Sequence, residues 1–206
     1  MREDIFRHLN THTSVSRETF DRLFLYHDLL LKWQPKINLI GPDTIPDIWN
    51  RHFLDSLQLI HSTPDLSKKI IDLGTGAGFP GMALAIYGFS DVHVIESDGK
   101  KIIFLKEVAR ITQTKITIHH CRIEEQPIKN PDIFISRALT SVDNILSLSY
   151  PYISHETICL FHKGKNYTKE ILDAEKKWVF DKHIISSITD KEGAIVKLAS
   201  IKKRVT

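Results

Sequence analysis

Apolar positions in the first 62 residues recur at helical spacing. From Lys69 onward they gather instead into short runs separated by helical stretches. After Ser16, a good N-cap, the residues Phe20, Leu23, Phe24, Leu30, Leu31 and Trp33 mark one face of a helix that Pro35 stops. A second helix is predicted from about Thr44 to His61, with Pro46 in its first turn and Ile48, Trp49, Phe53, Leu57 and Ile60 buried. Strands are predicted at 69–73, 92–96, 116–120, 132–136 and 157–162, with helices at 80–87, 100–111, 142–149 and 167–178. Such alternation implies a parallel sheet with right-handed crossovers. Two more apolar stretches, 182–188 and 194–201, flank Asp190-Lys191-Glu192-Gly193 without a helix between them, which predicts a closing antiparallel hairpin. The expected architecture is an α/β, Rossmann-like sheet of seven strands at 63–206 with a helical N-terminal extension at 1–62.

Composition changes this picture little. A chain of 206 residues suffices for one α/β domain with an appendage. The net charge of +3 and the eleven histidines permit a polyanionic partner without demanding one. Two cysteines, Cys121 and Cys159, without a C-x-x-C pair give no disulfide framework and no zinc site. Each is expected to be a buried apolar residue. The polar start Met1-Arg2-Glu3-Asp4 does not read as a secretory signal, and no apolar run approaches the ~18 residues of a membrane span. A cytoplasmic monomer is the expectation.

The chemistry concentrates in Asp72-Leu73-Gly74-Thr75-Gly76-Ala77-Gly78-Phe79-Pro80-Gly81, where an apolar run ends in an acid and four glycines follow. A strand feeding a bare-backbone loop and then a helix can seat a nucleoside-bearing cofactor. Gly76, Gly78 and Gly81 alone satisfy the dinucleotide pattern G-x-G-x-x-G, whereas Asp72 and Gly74 extend it to D-x-G-x-G-x-G, the first loop of S-adenosylmethionine (SAM) methyltransferases. Glu96, ending the second strand, offers a carboxylate for ribose hydroxyls in either case. Asp72 discriminates: beside a pyrophosphate a carboxylate is repelled, whereas the ammonium and sulfonium of SAM attract it. The reading is therefore a SAM-dependent methyltransferase fold. A nucleotide-binding oxidoreductase using NAD and a SAM-binding regulator without catalysis are the alternatives.

After the fourth strand the sequence runs Ile135-Ser136-Arg137-Ala138, without the D/N-P-P-Y/F turn that grips an exocyclic amine. Neither cysteine follows a proline, as the nucleophile for carbon-5 pyrimidine methylation commonly does. Guanine N7 has an accessible lone pair and needs no base, only alignment with the donor. The missing devices point toward a ring nitrogen. Arg137, following an apolar strand, is expected to face a cleft. Lys163 and Lys165, flanking Gly164 after the fifth strand, are candidate phosphate contacts, and so is the tail Ile201-Lys202-Lys203-Arg204. Arg51 and His52 read equally as substrate-positioning residues or as helix packing, with Asp55 at i+4 from Arg51 as a local ion pair. Phe79 and Tyr87 are the candidates for stacking on a splayed guanine.

These segments resemble the RsmG-type (glucose-inhibited division protein B) small-subunit rRNA methyltransferases. The resemblance is carried by Trp33-Gln34-Pro35-Lys36-Ile37-Asn38-Leu39, Arg51-His52-Phe53-Leu54-Asp55-Ser56-Leu57, the glycine loop with its Phe79-Pro80-Gly81 ending, Glu96-Ser97, Lys100-Lys101, Arg122-Ile123-Glu124, Ser136-Arg137-Ala138 and Lys163-Gly164. It departs only in Thr75, where serine is frequent, and in Asp98-Gly99 before the paired lysines. The resemblance implies methylation of guanine N7 in the decoding-region loop of 16S rRNA with SAM as donor. It further implies that Gly74 and Phe79 contact SAM, that Ile123 and Glu124 lie beside its adenine, and that Arg137 lines the site.

Overall fold

The structure, a computed structural model, describes residues 1–204. Two helices, α1 (Arg2–Thr13) and α2 (Arg17–Trp33), come first, and the Ser16 side chain caps α2 by accepting from the Thr19 amide at 3.1 Å. The predicted helix over 44–61 is instead a broken run: 3₁₀ turns at Pro42–Asp47, a π-helical stretch at Trp49–Leu54, one α turn, α3 (Asp55–Leu57), and a second 3₁₀ piece at Gln58–Ser62. Pro46 lacks a donor, and the π stretch turns His52, Phe53 and Leu54 inward together. The α1 helix falls within the expected helical extension, but its bounds are not marked in the sequence because its apolar stripe is only Ile5, Phe6 and Leu9 among charged residues.

The remainder alternates β1 (Lys69–Leu73), α4 (Gly81–Tyr87), β2 (Asp91–Glu96), α5 (Gly99–Ile111), β3 (Thr117–His120), β4 (Ile133–Arg137), α6 (Val142–Ser149), β5 (Ile158–Lys163) and α7 (Tyr167–Ala174), then β6 (Trp178–Ser186) and β7 (Ala194–Lys203). The seven strands lie in the order β3-β2-β1-β4-β5-β7-β6. β7 runs antiparallel to both neighbours and the other pairings are parallel. The predicted helix to Trp178 ends at Ala174 instead. Trp178, Val179 and Phe180 are aromatic or β-branched and begin β6, with Trp178 opposite Lys203.

Alternate residues of each buried strand feed opposite faces. Ile70, Val94 and Ile133 join a cluster with Leu9, Phe20, Leu23, Tyr26, Met82 and Phe104, so α1, α2, α4 and α5 cover one face. Ile71, Ile95 and Phe134 join Val142, Ile145, Phe161, Ile171 and Trp178 on the other, under α6 and α7. The N-terminal helices thus share a core with the sheet. The chain reverses its direction of winding between β1 and β4, and a crevice opens there beyond the strands' carboxyl ends, where ligands of such sheets bind. Among the described residues no helix is long and apolar enough to cross a membrane.

Candidate active site

The loop after β1 is shaped from behind. Asp72 is fully buried, and its Oδ2 accepts from Thr75 Oγ1 at 2.5 Å and from the Gly81 amide at 2.8 Å. A Cβ on Gly81 would stand 2.9 Å from Asp72 Cβ and 2.7 Å from Val94 Cγ1, so only glycine lets α4 start this close to the sheet. Phe79 stacks on Tyr26 of α2 with ring centroids 5.1 Å apart, and Tyr26 Oη donates to the Ala77 carbonyl at 2.5 Å. Only Gly74 and Gly76, of the loop from Gly74 to Pro80, are not fully buried.

Those two glycines line a cleft of about 360 Å³ together with Glu96, Lys101, Cys121, Ile123, Glu124 and Leu139. Glu96 accepts from the Gly76 amide through Oε2 at 3.0 Å and from the Ser97 and Asp98 amides through Oε1, both at 2.8 Å. Of the three amides, one takes Oε2, which leaves that oxygen acceptor capacity toward the cleft. Open space faces Gly76 where a side chain would project. Bare backbone, a fixed carboxylate and the apolar Ile123, Leu139 and Leu148 suit the ribose and adenine of a nucleoside.

Four residues expected to touch the cofactor do not line this cleft: Arg137 lines the second cleft described below, and the other three are buried. Asp72, Gly78 and Phe79 are buried in the core under the loop, because the inward turn of the backbone needed to expose Gly74 and Gly76 points them at the helices. Burial pushes the Asp72 carboxyl up to about 6, against hydrogen bonds from Thr75 and Gly81 that lower it, and its Oδ1 has no hydrogen-bond partner among the described residues. The folded protein therefore holds this proton more tightly than the unfolded chain. The resulting stabilisation is full below about pH 3.8 and is lost as the pH rises through about 6. Asp72→Asn keeps an acceptor for Thr75 and Gly81 and carries no charge. It is expected to be more stable than the parent by up to about 3 kcal/mol at pH 8, with the difference closing toward pH 4, as read by urea unfolding at both values.

A second cleft of about 350 Å³ adjoins the first, lined by Arg51, His52, Asp55, Arg137, Ala138, His162, Lys163 and the β6–β7 turn around Asp190. Arg137-Ala138-Leu139 divides the two, with Ala138 at φ 52° turning the chain. Arg137 Nη1 donates to the Arg51 carbonyl at 2.8 Å and faces Asp55 Oδ2 at 3.4 Å, while Nη2 donates to His52 Nδ1 at 2.7 Å. Its guanidinium also lies 5.3 Å from the Phe79 ring centroid. Because guanidinium only donates, His52 Nδ1 must accept. His52 Nε2 then donates to Thr44 Oγ1 at 2.7 Å, and Thr44 donates to the Gly41 carbonyl at 2.7 Å. Burial and the nearby Arg137 hold the imidazole down to about 3, so His52 is neutral. The two sequence segments R-H-x-x-D and S-R-A are one cluster.

The local Arg51–Asp55 pair does not form. Arg51 faces Asp190 at 3.5 Å, whereas Asp55 is taken by Arg137, Gln58 and Thr189, because the π stretch shifts the helical spacing. Lys163 is no free phosphate contact either: its side chain is 6% exposed, pairs with Glu170 at 2.9 Å and donates to the Thr140 carbonyl. Lys165 stands exposed in a shallow groove that shares Gly193 and Ala194 with the second cleft. Phe79 and Tyr87 line neither cleft, and Tyr87 Oη donates to the Thr13 carbonyl at 3.1 Å. In the tail, Lys202 and Lys203 belong to β7, and Arg204 Nε donates to the Glu175 carbonyl at 2.8 Å. Cys159 is buried as expected, while Cys121 reaches the first cleft.

The sequence reading missed Tyr26, Thr44, His162 and Asp190. Tyr26 continues the stripe of Phe20, Leu23 and Leu30 and was legible as core. The other three carry no local signal, because distant segments bring them to the cleft.

The family model described as GidB, rRNA small subunit methyltransferase G, matches residues 20–199. Ribosomal RNA small subunit methyltransferase G of Paramagnetospirillum magneticum is 44% identical over 195 residues, covering 95% of each chain. That of Gluconobacter oxydans is 42% identical over 193 residues, covering 94% of this chain and all of the relative. Two solved structures share the fold at low identity. One is a TehB-like SAM-dependent methyltransferase of Corynebacterium glutamicum, with a TM-score of 0.55 at 14% identity over 71% of this chain and 87% of that one. The other is a ribosomal protein L11 methylase of Lactobacillus delbrueckii, with a TM-score of 0.55 at 15% identity over 75% and 79%. With the match spanning helices, glycine loop and terminal hairpin alike, the chain belongs to the rRNA small subunit methyltransferase G family.

Proposed function

We propose that the protein transfers the methyl group of SAM to N7 of a guanine in 16S rRNA. When bound, SAM supplies a methyl on a sulfonium, which an unprotonated ring nitrogen can attack directly. The observation that carries the reading is the engagement of the imidazoles in the second cleft. His52 has both nitrogens hydrogen-bonded, and His162 donates Nε2 to the Asp55 carbonyl at 2.7 Å while its Nδ1 is buried. Burial also holds the His162 imidazole low. Neither can take a proton from an incoming substrate, and guanine N7 has none to give.

In this reading Gly74, Gly76, Glu96, Ile123 and Glu124 hold the cofactor. Asp72, Gly78 and Phe79 act on it through the shape of the loop, and Arg137 fixes the partition where the two clefts meet. Exposed Lys165 and half-exposed Arg51 serve RNA phosphates, which position the strand without reading it. The test is incubation of undermethylated small-subunit RNA or particles with enzyme and SAM. A 7-methylguanine makes the strand cleavable after borohydride and aniline, so one new cleavage is expected. No new cleavage on any small-subunit substrate, with SAM bound, overturns the reading.

A further inference from the structure

We propose that Asp190 reads the target guanine, accepting hydrogen bonds from its N1–H and N2–H groups, and that these bonds tighten as the ring is methylated. The inference rests on the guanine-N7 reading above.

Asp190 stands in the turn between β6 and β7 and lines the second cleft. Its own turn fixes the carboxylate. Oδ1 accepts from the Glu192 amide at 3.0 Å, and the Asp190 carbonyl accepts from the Gly193 amide at 3.0 Å. A Cβ on Gly193 would lie 3.1 Å from Asp190 Cβ and 3.2 Å from the Lys163 carbonyl, so glycine lets the turn press against the end of β5. Oδ2 faces Arg51 at 3.5 Å, a contact at the outer limit of a hydrogen bond, and the side chain is 38% exposed. A carboxylate accepts about four hydrogen bonds. Each oxygen of Asp190 therefore retains capacity toward the cleft. Asp55, the other carboxylate of the cleft, is occupied: Oδ1 takes Gln58 and Thr189, and Oδ2 faces Arg137.

Guanine presents N1–H and N2–H side by side, which matches the two oxygens of one carboxylate. Adenine has a lone pair at N1 and no amine at carbon 2, so it would set acceptor against acceptor. In guanine these groups lie across the purine from N7. A base held at the hairpin wall therefore turns N7 toward the wall that the second cleft shares with the first. In the reaction the N7 lone pair forms the bond to the methyl carbon and the carbon–sulfur bond breaks. Its electron pair stays on sulfur, and no proton moves. The purine becomes cationic, its N1–H and N2–H groups become stronger donors, and bonds to a carboxylate strengthen between ground and transition state.

The test compares guanine with inosine, which lacks only the N2 amine, at the position found by the cleavage assay. It measures transfer of a tritiated methyl group under single-turnover and steady-state conditions. The wild-type protein is expected to prefer guanine by about tenfold or more in kcat/KM. Asp190→Asn is expected to lose about ten- to a hundredfold on guanine, mainly in kcat, and to treat the two bases nearly alike. Its amide can accept from N1–H but opposes N2–H with its own donors. SAM affinity should be unchanged, which also reports that the variant is folded. A wild-type protein indifferent to the N2 amine overturns the proposal without any variant, as does an Asp190→Asn that keeps the wild-type ratio. Absence of transfer to unmodified RNA by the wild-type protein overturns the functional reading instead.

Discussion

Gly74→Asp is expected to reduce SAM affinity at least a hundredfold in calorimetry while the protein stays folded. Gly74 has φ +67°, a region that aspartate tolerates better than most residues. Its new Cβ would meet Leu139 Cδ1 at 2.7 Å, the far end of a flexible side chain that can swing aside. The fold therefore loses little. The cleft loses the bare backbone against which a nucleoside could lie, and Leu139 is driven toward the same space. Unchanged affinity would remove the glycine loop from the binding site.

Gly78→Ala, four residues on, should fail in the opposite way. At φ +104° an L side chain is strained by about 1–2 kcal/mol. Its Cβ would stand 2.7 Å from Tyr26 Oη and 2.9 Å from both Met82 Cβ and Leu105 Cδ2, all of them buried. Overpacking of this kind costs about 1–3 kcal/mol more, and displacement of Tyr26 endangers its bond to the Ala77 carbonyl. A destabilisation of about 3–5 kcal/mol corresponds to a Tm lower by about 6–20 °C in a chain of this size. Calorimetric melting of the protein without ligand is the measurement. A shift under about 3 °C would mean that the helices do not press on the loop as described.

The contrast between these glycines separates what was legible in the sequence from what was not. The run Lys69–Leu73 followed by glycines announced a strand and a loop, because both signals are local. That Gly74 faces a cleft and Gly78 a tyrosine from α2 depends on contacts 51 or more residues apart along the chain, such as Tyr26 to Ala77. Arg51 and Asp55 make the same point. At i and i+4 they should pair on an α-helix, yet the backbone there is π-helical and each finds a partner far away in sequence. Lys163 reads as a candidate phosphate contact from its place beside Gly164 at the end of a strand. The neutralising Glu170 arrives with the first turn of α7. The strand runs and the glycine loop match the structure, whereas the apolar stripe over 44–61 does not form one continuous helix. Polar residues in the clefts were misjudged where a distant partner decided the outcome.

The hydrogen bond and ring stack from Tyr26 make the packing of α2 and the shape of the glycine loop a single equilibrium. Any ligand that favours the ordered loop must favour the seated helix by the same factor, and loosening the helix must weaken the ligand equally. On the proposed assignment of the first cleft to the cofactor, α2 is thereby thermodynamically linked to cofactor occupancy without lining that cleft. Substitutions on the buried face of α2 far from any ligand will act on affinity through the fraction of molecules in which the helix is seated.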